Sequence, residues 1–344
     1  MKKAIILFNL GGPEKLESVE PFLFNLFNDP AILNLPSFFR YPLAKLIANR
    51  RAPVAKKIYQ ELGGSSPILK LTEEQSNALE IKLNQNQLVD KYKCFVVMRC
   101  WHPRAKEVIK NVQSYGPDEI ILLPLYPQYS AATSGSSIKE WKDVCKKNNY
   151  NTKTSTICCY PTDKNFINAH TKEIKKKIKK LKNFKLIFSA HGLPEKNIKN
   201  GDPYQWQIEQ SVKKIVESLA VKNLDWILSY QSRVGPLRWI GPSTDQTIIE
   251  NSKIGKHIVL VPIAFVSEHS ETLVELDIEY KKLAQDNGCN QYTRVPALGI
   301  NEDFINAMSE LIIKKDEYKF NEHLYSPKTK CPSYLKKCPC LNYE

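Results

Sequence analysis

Two stretches of this 344-residue chain concentrate side chains able to move protons or hold a cation. In FSAHGLP, His191 follows an apolar run directly and is followed by Gly192 and Pro194, so the spacing predicts an imidazole on a turn at a strand end. In VSEHSETLVELDIEY, Glu268, Glu271, Glu275 and Glu279 recur at intervals of 3, 4 and 4, which on a helix aligns all four carboxylates along one face. Like charges stacked in this way repel. A divalent cation would account for such a stripe in a chain of formal net charge +14. A solvated helix face is the ordinary alternative, and it fits less well because Glu268 and His269 come straight off an apolar run.

The elements that must position these groups are legible as short, uniformly apolar runs: Ala4 to Leu10, Cys94 to Met98, Ile120 to Leu125, Lys185 to Ser189, Trp226 to Tyr230 and Ile258 to Phe265. Such runs suit strands buried on both faces, and the longer amphipathic stretches between them suit helices, so the expected class is α/β with parallel sheets. FNLGGP, VVMRCWHP and LLPLYPQYSAATSGSS in the first half are echoed in order by FSAHGLP, ILSYQSR and LVPIAFVSEHSETL. The offset falls from about 180 residues at the first landmark to about 135 at the others, which assigns the first half an insertion of roughly 45 residues, Pro21 to Pro67. The expected organisation is a first domain over 1–155 with that insertion, a second over 156–310 carrying the His/Glu motifs, and an extension over 311–344. Two doubly wound halves related by duplication would bring their strand ends around one cleft, with His191 and Glu271 converging there from separate lobes.

Composition narrows the partners. Much of the positive charge is dispersed Lys, as in the stretch Thr171 to Lys185, read as a helix with Ile174, Ile178 and Leu181 inward. No interleaved basic and aromatic motif accompanies it, which argues against nucleic acid. Nine irregularly spaced cysteines, with a strand-like run starting within three residues of Met1, point to a reducing, cytoplasmic setting. The longest uncharged run, Ile120 to Ser137, is broken by Pro124 and Pro127, so membrane contact is expected only at the surface. The insertion supplies Phe22, Phe24, Phe27, Phe38, Phe39 and Tyr41 with Arg50 and Arg51 at its end. That combination suits a flat, greasy ligand bearing carboxylates, or a membrane surface, although Phe-rich helices are commonly core.

Eight ordered motifs, NLGGP, ELGGSSPI, RCWHP, LPLYPQYSAATSGSS, FSAHGLP, GDPY, YQSRVGPLRWIGP and VPIAFVSEHSETLVELDIEY, make the chain resemble the ferrochelatases from Asn9 to about Met308. The resemblance implies two Rossmann-like domains with a hydrophobic lip over a porphyrin cleft. It implies insertion of Fe2+ into protoporphyrin IX to give protohaem, the terminal step of haem biosynthesis. Coproporphyrin III, or another tetrapyrrole chelated with cobalt, is the alternative substrate. By the same resemblance His191 and Glu271 form the catalytic pair, with Glu268, His269 and Glu275 along the metal or proton path. Leu10, Tyr59, Arg99, Tyr126 and Trp239 would surround the macrocycle or line the opposite, metal-facing side, and Arg51, Ser66, Gln231 and Ser232 would meet its propionates.

Iron enters this scheme as a substrate, and no cofactor is required. Some family members hold a [2Fe–2S] cluster on cysteines that include a C-terminal group, and here the tail offers Cys331, Cys338 and Cys340. Their spacing departs from the animal pattern and Ala131 stands where animal enzymes supply the fourth ligand, so no cluster is expected. Cys158 and Cys159 read as small apolar residues ending a strand. A non-catalytic haem carrier on a two-lobed scaffold is the competing class, disfavoured by the lack of a leader segment. The expected location is cytoplasmic, peripheral to the inner membrane through the Phe-rich lip, and no oligomeric state follows from the sequence.

Overall fold

The computed structural model describes residues 1–85, 90–233, 235, 237–318, 324–326 and 330–341. Val234 and Pro236 of the YQSRVGPLRWIGP motif lie outside the described residues. Two compact units are present, Met1–Cys158 with Met308–Ser326, and Cys159–Ala307 with Pro327–Glu344.

The first unit runs β1 (Lys2–Asn9), α1 (Val19–Phe27), α2 (Ser37–Glu61), α3 (Ile68–Asn84), β2 (Lys91–Met98), α4 (Ala105–Tyr115), β3 (Glu119–Pro124), a π-helical turn at Ala131–Gly135, α5 (Ser136–Lys147) and β4 (Lys153–Ile157). The second runs α6 (Lys164–Ile178), β5 (Phe184–His191), α7 (Glu195–Lys199), α8 (Tyr204–Leu219), β6 (Trp226–Gln231), α9 (Thr244–Lys253), β7 (His257–Pro262), a π-helix at Glu271–Glu279, α10 (Tyr280–Asp286) and β8 (Tyr292–Arg294). β9 (Leu324–Tyr325) returns to the first sheet.

All pairings are parallel, in the orders β2-β1-β3-β4-β9 and β6-β5-β7-β8. Replacing β1, β2, β3 and β4 by β5, β6, β7 and β8 converts the first four strands of one order into the other, with β9 an addition to the first sheet, so the duplication read from the motifs is carried by the topology. Even the π-helical segments correspond, each following the third strand of its unit. The insertion is equally concrete: the β5 to β6 crossover carries only the short α7 ahead of α8, whereas the β1 to β2 crossover carries α1 and the 25-residue α2 ahead of α3.

Central strands are apolar on both faces because helices cover both. Ala4, Ile6 and Phe8 of β1 pack with Val108, Ile109 and Val112 of α4 and Trp141 of α5. Ile187, Ile258 and Leu260 pack with Ile248, Leu276 and Tyr280 in the second unit. Each such fully buried aliphatic side chain contributes about 1.5–3 kcal/mol by leaving water. β3 and β7 both stop at a proline, Pro124 and Pro262, which removes the donor needed to continue the ladder. The expected strand Ile258 to Phe265 is therefore shorter. Likewise α6 ends at Ile178, with Ile174 and Ile178 inside as expected, while Lys185 belongs to β5.

The six insertion aromatics divide. Phe22 joins a core with Val19, Leu23, Ala48, Ala52, Tyr59 and Cys100, and Phe24 and Phe27 pack against it. Phe38, Phe39 and Tyr41 stand 69%, 58% and 56% exposed along α2. Among the described residues no helix is long and apolar enough to cross a membrane.

Candidate active site

The sharpest cluster of chemistry lies wholly in the second unit, so His191 and Glu271 come from one unit rather than from separate lobes. β5 ends on His191, where the chain turns through Gly192. A Cβ at Gly192 would stand 3.0 Å from the Gln231 carbonyl oxygen and 3.2 Å from Trp239 Cε3, tighter than ordinary Cβ contacts, so a larger residue would have to push its neighbours back. The turn brings the Gly192 carbonyl 2.7 Å from His191 Nδ1. A carbonyl only accepts, so Nδ1 carries the proton and Nε2 presents its lone pair. The hydroxyl of Tyr204, at the start of α8, donates to the His191 carbonyl at 3.0 Å and pins the strand end.

Glu271 opens the π-helix after β7. Its Oε1 lies 3.9 Å from His191 Nε2, and its Oε2 lies 4.0 Å from His269 Nε2. His269 is buried, with Nδ1 3.2 Å from the Ser267 carbonyl, so its Nε2 also presents a lone pair. Burial pushes the pKa of His269 down, against the opposing pull of Glu271, and the ring is neutral near pH 7. One carboxylate thus sits between the Nε2 atoms of two histidines.

The other three acidic residues do not share this environment, and the expected single stripe is corrected accordingly. Glu268 precedes the helix and turns away: its Oε1 accepts from Arg294 Nη1 at 2.8 Å and from the Ala297 amide at 2.9 Å. Glu279 points to solvent. Glu275 accepts from the Ser232 amide (3.0 Å) and the Tyr280 hydroxyl (3.0 Å) on Oε1, and from the Ser232 hydroxyl (2.6 Å) and Gln231 Nε2 (3.1 Å) on Oε2. Burial, and then the charge of Glu271, raise its pKa. The hydrogen bonds of a π-helix run i to i+5, so residues spaced for an α-helical stripe are turned toward different neighbours.

Gln231 and Ser232 are held by these bonds, Gln231 also accepting from Ser189 Oγ at 2.6 Å. Trp239 lies beside Gly192. The remaining expected ligand contacts lie in the first unit. Leu10 and Tyr59 belong to the core around Cys100, and Tyr126 is half-buried with its hydroxyl shielded from water, which raises its pKa through desolvation against the opposing charge of Arg99. Arg99 is paired with Asp29 at 2.7 Å and Glu140 at 3.4 Å and donates to Ser136. Arg51 is exposed over the Phe27 ring. Ser66 donates its amide to the Pro13 carbonyl at 2.8 Å and packs against Gly12, where any Cβ would come within 2.5 Å. Sequence reasoning assigned no role to Tyr204 or Tyr280. Tyr204 closes the GDPY motif and Tyr280 closes VPIAFVSEHSETLVELDIEY, and membership of those motifs is the one signal that marked either.

The cysteines hold a second surprise. Gln207 Nε2 donates to both Cys159 Sγ (3.4 Å) and Cys331 Sγ (3.3 Å). Cys331 and Cys340 are each hydrogen-bonded to Cys338, and the Cys331 thiol is pushed up by its bond to Cys338 and by burial. A fourth cysteine therefore joins the tail, and Cys159 is more than an apolar strand end. With the Gln207 amide between two of the sulfurs, the described residues form a hydrogen-bonded thiol patch rather than a closed ligand cage.

Comparison with known proteins agrees with this architecture. A family model described as Ferrochelatase matches residues 2–316. Proteins named Ferrochelatase from Pelagibacter ubique (strain HTCC1062) and Rickettsia felis are similar at 81% and 50% identity, covering 100% and 99% of both chains respectively. Among solved structures, SirB from Bacillus subtilis with Fe3+ superposes with a TM-score of 0.55 at 13% identity, over 91% of this chain and 95% of that one.

Proposed function

This chain belongs to the ferrochelatase family, lyases that insert ferrous iron into protoporphyrin IX to form haem, and we propose that His191 and Glu271 carry out that insertion. The supporting observation is the 3.9 Å separation of His191 Nε2 from Glu271 Oε1, with the histidine tautomer fixed by the Gly192 carbonyl. Metallation releases two pyrrole protons while the ion sheds water. His191 Nε2 is the proton acceptor, and the imidazolium it becomes faces the Glu271 carboxylate. Glu271, with His269 Nε2 on its other side, holds the incoming ion: one oxygen and one imidazole nitrogen suit ferrous iron. Glu268 and Glu275 support this pair from outside, with Glu268 Oε1 and both oxygens of Glu275 committed to protein donors.

Leu10, Tyr59, Tyr126 and Trp239 are proposed as macrocycle contacts, and Arg51 and Ser66 as propionate contacts. Arg99, bound by Asp29 and Glu140, is proposed to brace that wall. Remote binding energy from these contacts would bend the ring and turn a nitrogen lone pair toward the metal. The exposed Phe38, Phe39 and Tyr41 support peripheral membrane contact by a cytoplasmic enzyme. None of these steps needs a resident cofactor. Cys159, Cys331, Cys338 and Cys340 are nonetheless right in kind and number to hold a [2Fe–2S] cluster once Gln207 swings aside. Such a cluster would staple the tail to the segment that leads into α6 and would take no part in chelation.

The test is anaerobic insertion of ferrous iron into protoporphyrin. His191→Ala and Glu271→Gln are expected to lower turnover by about 10²–10⁴-fold while porphyrin binding, followed by fluorescence quenching, persists. A fully active His191→Ala enzyme would overturn the assignment. Coproporphyrin III run in parallel should turn over more slowly.

A further inference from the structure

Glu275 and Ser232 do not behave in this structure as a metal ligand and a propionate contact. A carboxylate offers about four lone-pair sites. Those of Glu275 are met by four donors at 2.6 to 3.1 Å: the Ser232 amide, the Ser232 hydroxyl, Gln231 Nε2 and the Tyr280 hydroxyl. Two of the four come from one residue, and that residue is unusual. Ser232 has φ +58°, in the left-handed region where a side chain is strained and glycine would be the ordinary choice. It stands at the end of β6, the strand paired with the one that ends in His191. Its hydroxyl also lies 3.3 Å from Glu271 Oε2. A turn that needs only the backbone conformation would be better served by glycine, which leaves the hydroxyl as the reason for a serine.

We propose that Glu275 is a positioning residue that acts through Ser232, clamping its left-handed turn so that the hydroxyl orients Glu271 toward His191. The clamp is bidentate: the Ser232 amide goes to one oxygen of Glu275 and its single hydroxyl proton to the other at 2.6 Å, bifurcated toward Glu271 Oε2 at 3.3 Å, which fixes both the backbone and the side-chain rotamer. Tyr280 and Gln231 then fix Glu275 itself, so the Glu271 carboxylate is located by a chain of neutral donors and not by its two histidines alone. This inference rests on the His191 and Glu271 assignment, and its test is arranged so that the two can fail separately.

Ser232→Gly, Ser232→Ala, Glu275→Gln and the Ser232→Ala/Glu275→Gln double variant are compared with His191→Ala in iron insertion, with kcat and the KM values for metal and porphyrin measured separately. Ser232→Gly keeps the turn and the amide bond but loses the hydroxyl. It is expected to melt no lower than the parent, yet to lose about tenfold in kcat with the porphyrin KM unchanged. The double variant should fall within about threefold of the poorer single, because both changes cut one chain of contacts. A Ser232→Gly enzyme with full kcat would show that the serine serves only the backbone and would overturn the proposal. Losses that multiply in the double variant, with a raised metal KM in Glu275→Gln alone, would overturn it in favour of Glu275 as a direct ligand. Full activity in His191→Ala would instead remove the reading of the site on which the proposal stands.

Discussion

His170 invites misassignment, and its physics supplies a quantitative check on the electrostatics of this fold. It is fully buried on α6 against Phe166, with ring centroids 4.9 Å apart, and neither ring nitrogen has a hydrogen-bond partner among the described residues. Burial alone lowers its pKa from 6.5 to about 3. The folded state therefore keeps the ring neutral while the unfolded chain protonates it below pH 6.5. The unfolded state binds more protons, so stability is full above pH 6.5 and declines steadily down to about pH 3. At pH 5.5, one unit below the unfolded value, the loss from this residue is about 1.4 kcal/mol, and at pH 7.5 it is negligible. His170→Leu fills a similar volume and removes the titration. Urea unfolding of both proteins at the two pH values should show the variant's stability, relative to the parent, improving by about 1.4 kcal/mol at the lower pH. Other titrating groups, including His269, cancel in that difference. A variant whose relative stability is the same at pH 5.5 and 7.5 would refute the argument, since it would mean that the buried ring reaches a partner or water and charges freely. Iron insertion at pH 7.5 should be unaffected, which separates this histidine from His191.

Other consequences are as direct. Gly192→Ala puts a Cβ 3.0 Å from the Gln231 carbonyl and shifts the acceptor that fixes the His191 tautomer; turnover should fall at least about tenfold with the porphyrin KM little changed, read from steady-state insertion kinetics. Arg294→Met strands Glu268 and Asp277, both bonded to the guanidinium at 2.8 and 2.6 Å, and should cost about 3 kcal/mol or more in a urea titration. Phe38→Asp/Phe39→Asp should abolish cosedimentation with anionic lipid vesicles while the thermal midpoint stays within a few degrees, because both side chains are solvent-exposed already. Protein purified anaerobically from iron-replete cells should show visible absorbance and acid-labile sulfide that Cys338→Ser removes; colourless, sulfide-free protein would leave the four thiols as packing.

What could be read in advance followed the strength of the local signal. β1, β3, β5 and β7 were legible because strands covered on both faces carry unbroken apolar runs, and the insertion was legible because duplicated motifs gave a ruler for length. β4 was not, because KTSTI mixes polar residues whose burial makes sense only in place: Ser155 is buried because its hydroxyl donates to Glu119 at 2.7 Å. β8 and β9, at three and two residues, are too short to show a period. The site divides along the same line. His191 and Glu271 could be picked from their motifs, but the interval rule that grouped Glu271 with Glu268, Glu275 and Glu279 assumed 3.6 residues per turn, and this segment is a π-helix preceded by turns and bends. Four glutamates of one chemical type consequently do four different things: one faces two imidazoles, one caps an arginine, one is clamped by four donors and one meets water. Residue type sets what a carboxylate can do, whereas the donors that reach it decide what it does, and those donors come from β6, α10 and β8, at separations of up to about 45 residues that no local period records.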